Sequence, residues 1–71
     1  MLSKELCAKY GKIPVYLWED ETETYIKVLP GRVIMAKRRG GKEFEIDATN
    51  HIVVRAALAE HEVTREEYEN A

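Results

Sequence analysis

One cysteine, one phenylalanine, one tryptophan and two prolines are all that a 71-residue chain contains of those types. A single thiol, Cys7, excludes an internal disulfide. No Cys-x-x-Cys pair or histidine–cysteine cluster offers a structural zinc site. No apolar run approaches the roughly 20 residues that a membrane-spanning helix requires. The opening "MLSKELCAKYG" mixes charged with apolar side chains, so a signal peptide is not expected. Repeats, low-complexity tracts and linkers are lacking as well. So is a surplus of positive charge: 11 lysines and arginines stand against 13 aspartates and glutamates, a net charge of −2. A dedicated duplex-DNA binder draws much of its affinity from phosphate neutralisation, which this balance does not favour. The expectation is one small soluble domain spanning residues 1–71, in a reducing, cytoplasmic setting.

Motifs that specify a reaction are missing too. Cys7, His51 and His61 are the candidate nucleophile and bases, yet they fall on different elements and no spacing links them to an orienting acid. Glu60 and Glu62 flank His61, but residues one apart on a helix do not share a face. No catalytic residue and no cofactor are expected, and the chain reads as a non-enzyme. The acidic run Glu19-Asp20-Glu21-Thr22-Glu23 lacks the alternating oxygen ligands and glycine turn of a calcium loop, so no metal is expected there.

What the chain does have is turn chemistry. Between Lys12 and Asp47, three turn signals separate four runs of strand-forming residues. Pro30-Gly31 suits a two-residue turn, pairing Leu29 with Arg32, Val28 with Val33 and Ile26 with Met35. Gly40-Gly41 suits another, setting Lys37 opposite Phe44 and Met35 opposite Ile46. A loop at 19–22 sets Val15 opposite Ile26 and Tyr16 opposite Tyr25. Together these registers gather Ile13, Val15, Leu17, Ile26, Val28, Val33, Met35, Phe44, Ile46 and Ala48 on one face, with Lys37 as the dissenter at its rim. The other face receives Tyr16, Trp18, Tyr25, Lys27, Leu29, Ile34, Ala36 and Arg38, then Glu43, Glu45 and Asp47.

Helices flank this meander. Ser3 can cap a first helix reaching Tyr10, with Gly11 to stop it. Asn50 can cap a second running to about Glu62. The run Ile52-Val53-Val54 also suits a fifth strand at 51–58, and helix is preferred over it. Thr64 and Glu67 form a capping box, with Val63 and Tyr68 at staple positions, which predicts a short terminal helix. The expected class is α+β: an antiparallel four-stranded meander with an N-terminal helix, a C-terminal helix and a short terminal helix. The alternative is a small five-stranded β-barrel with flanking helices.

Two functional expectations follow. An outer face carrying tyrosine, tryptophan and isoleucine is richer in apolar groups than a solvated face requires, so either the first helix folds onto it through Leu2, Leu6 and Tyr10 or a partner covers it. It suggests a non-enzymatic adaptor or inhibitor binding a protein partner through Tyr16, Trp18, Tyr25 and Ile34, oriented by Arg32, Arg38 and the acidic loop. That reading requires Ile26 and Met35 to share one side of the sheet. The alternative is a nucleic-acid-binding regulator gripping phosphates with Lys37, Arg38, Arg39 and Lys42 at the glycine tip. Against it, Arg38 is expected to face Glu43 and lose part of its charge. The outer face also has the ingredients of a stacking platform for single strands, but no RNP-like aromatic motif. In so short a chain, apolar burial and chain entropy nearly cancel, so a homodimer is expected as an added source of stability.

Overall fold

Four strands follow one another in the computed structural model, which describes residues 8–10, 12–31 and 33–71. They are β1 (Val15–Glu19), β2 (Thr24–Leu29), β3 (Val33–Arg38) and β4 (Phe44–Glu45), paired antiparallel in sequence order. Two helices come after them, α1 (His51–Ala59) and α2 (Arg65–Glu69). The molecule is a small α+β domain, and its sheet stays open instead of closing into a barrel.

Helix wins over strand at 51–59, and the cap explains where it begins. The Asn50 Oδ1 accepts the Ile52 N–H at 2.9 Å, satisfying one of the orphan donors of the first turn. The helix stops at Ala59, short of the expected Glu62. Glu60 turns left-handed at φ 54°, and its N–H closes the helix on the Ala56 carbonyl at 3.2 Å. The residues released by that stop form a fifth, short strand. His61 O accepts the Trp18 N–H and Tyr16 O accepts the Val63 N–H, both at 2.9 Å, while Leu17 and Glu62 pair as an antiparallel bridge. The free edge of β1 is thereby covered. Thr64 then caps α2, its Oγ1 accepting the Glu67 N–H at 3.1 Å. The expected helix at Ser3 to Tyr10 falls largely on residues 1–7, outside the described residues; Ala8 and Lys9 are helical.

All three expected registers need correction, and they differ in consequence. The first hairpin turns at 20–23 instead of 19–22. It pairs Leu17 with Ile26 and Trp18 with Tyr25, a shift of two residues that leaves every side chain on its expected face. The second shift is by one. Three residues, 30–32, join β2 to β3, so Leu29 meets Val33, Val28 meets Ile34 and Ile26 meets Ala36. Gly31 takes φ 85°, the left-handed conformation that makes this reversal accessible. At the third hairpin, Gly40 takes φ 75° and the Gly41 N–H bonds to Arg38 O at 2.8 Å, closing a turn that leaves Lys42 and Glu43 before β4. Ala36 then meets Phe44, a second one-residue shift that cancels the first.

Only β3 is therefore turned over. Ile34 and Ala36 face the core, whereas Val33, Met35 and Lys37 face the other side; Ile26 and Met35 lie on opposite sides of the sheet. The core consists of Val15, Leu17, Ile26, Ile34 and Ala36 from the sheet with Val53 and Ala56 from α1. Tyr10, Val28, Ile46 and Ile52 pack around it. The turnover has a physical reason in Lys37. In the expected register its ammonium sat at the rim of the apolar face, and one step moves it to the outer face, where the carbonyls of Tyr68 and Glu69 accept from it.

Candidate docking surface

On the outer face, Tyr16, Trp18, Tyr25, Lys27, Met35 and Lys37 share one side, as the pairings dictate. This face is not open. The buried ring of Tyr68, carried by α2, lies over it with its centroid 5.4 Å from that of Tyr16 and 6.2 Å from that of Tyr25. Tyr25 is only 4% exposed. Its hydroxyl donates to Glu67 Oε2 at 3.2 Å, so the carboxylate expected to complete the capping box also holds the sheet. Two ammonium groups approach the Tyr68 ring, Lys27 Nζ at 5.2 Å and Lys37 Nζ at 5.8 Å from its centroid. The Lys37 ammonium also donates to the carbonyls of Tyr68 at 3.4 Å and Glu69 at 3.0 Å, at the C-terminal end of α2 where a cation is favoured.

Glu43 closes the cage. Its Oε2 accepts the Tyr68 hydroxyl at 2.7 Å and pairs with Lys27 Nζ at 2.7 Å. Hydrogen bonds from Lys27 and Tyr68, reinforced by the charges of Lys27 and Lys37, outweigh partial burial and hold its carboxyl below the ordinary value of 4.5. Burial, and then the hydrogen bond to the Glu43 carboxylate, push the Tyr68 phenol up, so it stays a donor. The partner of Glu43 is thus Lys27, not the Arg38 expected from the two-residue glycine turn.

The expected protein-binding residues are consequently scattered. Ile34 is 7% exposed and belongs to the core; Tyr25 is sealed under Tyr68. Tyr16 and Trp18 are half-buried, with the Trp18 Nε1–H reaching Asp20 Oδ1 at 3.3 Å. Arg38 is exposed on the core side of β3, and Arg32 lies outside the described residues. The aromatic face is an internal layer closed by the C-terminal helix, and the docking surface expected there is withdrawn. Tyr68 is the residue that sequence reasoning placed only as a staple. Its position four residues after the Thr64 cap was the available signal.

The basic tip is divided as well. Lys37 is engaged with α2, and the Arg39 guanidinium lies 5.7 Å from the centroid of the Trp18 ring. Arg38, Arg39 and Lys42 are all exposed. At the opposite turn, the acidic loop folds onto itself. Glu19, 3% exposed, accepts the backbone N–H of Thr22 at 2.7 Å and the Thr22 hydroxyl, and its other oxygen accepts Arg55 Nε at 3.1 Å. Burial pushes this carboxyl up, but the hydrogen bonds from Thr22 and Arg55 and the charge of Arg55 together leave it below its ordinary value. Among the described residues, no group of three or more histidine, cysteine, aspartate or glutamate side chains is placed to hold a metal ion. Cys7 lies outside them, and His51 and His61 are both exposed, at the start of α1 and on the fifth strand.

Among the described residues, the outer edge of β4 has no strand partner. β4 bonds to β3 on one side only. Ile46 N donates to Ile34 O at 3.0 Å, so backbone groups at 46 face β3, and those of Glu45 face outward by the alternation of a ladder. Phe44 is 44% exposed. Beside it, Ile34, Glu45, Ile46, Asp47 and Ala48 line an open groove of about 450 Å³. Glu45 is exposed and makes no hydrogen bond or ion pair among the described residues. No family model, curated protein or solved structure matches the chain.

Proposed function

We propose that the chain is a non-enzymatic protein-interaction module, of adaptor or inhibitor type, whose contact surface is the β4 edge. The inequality of the two sheet edges carries this reading: residues 61–63 cover β1, while β4 is left with an exposed phenylalanine beside a groove. Large exposed aromatic side chains at an unpaired edge are a liability unless something covers them. Such a module acts by occupying a surface, for which shape and charge complementarity suffice.

A nucleic-acid reading is less well supported, because Lys37 is held by α2 and the exposed Arg38, Arg39 and Lys42 stand in a chain of net charge −2. The test is affinity capture from native cells with wild type and Phe44→Ser, followed by binding of the recovered protein in purified form. The expected result is a partner bound by wild type and lost, tenfold or more in affinity, by a folded Phe44→Ser. Capture that Phe44→Ser does not affect sinks the reading.

A further inference from the structure

Along β4 and the residues flanking it the side chains alternate as Glu43, Phe44, Glu45, Ile46, Asp47. Phe44 and Ile46 stand on the core side of the sheet, continuing the row of Ala36 and Ile34, and the three acids stand on the other. A strand added to this edge would bring its own alternating side chains beside them, and directly opposed residues interact favourably only when apolar meets apolar and acid meets base. A second copy of the same strand fails this condition. Any pairing that sets Phe44 and Ile46 against apolar residues sets acid against acid, and any pairing that avoids this sets apolar against charge. The edge is guarded against itself, and the same pattern selects its complement.

Short, charged edges are also the usual protection against aggregation. Protection alone does not call for an exposed Phe44 or for a groove in which Ile34, Ile46 and Ala48 lie beside Glu45 and Asp47. Resting on the module reading above, we propose that β4 binds an extended segment of a partner protein in which basic and apolar residues alternate, by adding it as a further strand. The outward N–H and C=O of Glu45 supply the main-chain bonds. Phe44 and Ile46 receive the apolar side chains, and Glu45 and Asp47 receive the basic ones. Asp47 already accepts the Thr49 N–H and hydroxyl, both at 2.8 Å, which leaves its second oxygen for a cation. Glu43, committed to Lys27 and Tyr68, contributes field more than contact.

The test uses labelled peptides of one composition in two orders, Lys-Val-Lys-Val-Lys-Val-Lys and Lys-Lys-Val-Val-Val-Lys-Lys, titrated by fluorescence anisotropy at physiological salt. The alternating peptide is expected to bind at least tenfold more tightly and to slow amide exchange at Glu45. Glu45→Pro, which removes an outward donor while sparing the β3 ladder, is expected to abolish that preference. Should Glu45→Pro fail to fold, Glu45→Lys replaces it, weakening the basic peptide and strengthening an alternating Glu–Val peptide. Equal binding of both orders, or of neither, overturns the proposal. So does a homodimer, seen by sedimentation, that Glu45→Pro dissolves, since the occupant would then be a second copy. If a captured partner depends on Phe44 but ignores Glu45→Pro, strand addition falls while the module reading stands.

Discussion

The two faces of the sheet are closed by different physics. On the inner face, α1 lays Val53 and Ala56 onto Val15, Leu17 and Ile26, and the contact is apolar throughout its centre. On the outer face, a five-residue helix contributes one buried residue, Tyr68, held between Tyr16, Tyr25, Lys27, Lys37 and Glu43. Apolar burial is non-directional and scales with area, so the inner closure is strong and tolerant of small displacement. The outer closure depends on hydrogen bonds and cation–ring distances, each worth about 1 kcal/mol and each lost with modest movement. Stability in this domain should therefore be unequal: global on one side of the sheet, local on the other.

Removing one side chain from each face tests that inequality. Leu17 is fully buried at the centre of the inner face. Leu17→Ala should cost about 2–5 kcal/mol, a large fraction of what so small a domain possesses. Urea unfolding should show a collapsed or absent transition, with amide protection lost across β1, β2 and α1 together. Tyr68→Ala should act locally instead: protection should vanish over residues 64–71 while β1–β3 keep theirs. Tyr68→Phe, which retains the ring and both cation contacts, should lose only about 1 kcal/mol. If Tyr68→Ala unfolded the whole domain as Leu17→Ala does, the distinction between the faces would fail.

The same inequality governs what was legible in the sequence. The class, the meander order and the capped helices at Asn50 and Thr64 could be read because turn residues and caps are local signals. The face assignment of β3 could not be read from its own pattern, since Val33, Ile34, Met35 and Ala36 are apolar at every position and either half suits a core. Turn length decided it, and Pro30-Gly31 is compatible with a two- or three-residue connection. One clue pointed the right way, because Lys37 fitted poorly in the expected register and well in the observed one. The role of Tyr68 was beyond local reasoning: its partners lie on β1, β2, β3 and just before β4. The open β4 edge was likewise hidden until 61–63 were seen to take the other edge.

Acid should separate the faces more finely, with the smallest effect of all. Glu43 is held below the ordinary carboxyl value of 4.5 by the hydrogen bonds of Lys27 and Tyr68, so the folded chain binds this proton less readily than the unfolded one. Its contribution is accordingly complete at neutral pH, and it is lost as pH falls through 4.5 towards the lower folded value. Glu19 acts in the same direction from the inner rim, through Thr22 and Arg55. Glu43→Gln removes only the outer share: it should be less stable than wild type near neutrality and should lose less on acidification, so that the two curves converge below the carboxyl range. Because the Glu43 side chain is 36% exposed, solvent screens the effect and added salt should shrink it further. Urea midpoints at several pH values, followed by Trp18 fluorescence, would measure the convergence. Curves that stay parallel would mean that the Glu43 carboxylate is not part of what closes the outer face, and that the aromatic ring of Tyr68 holds it unaided.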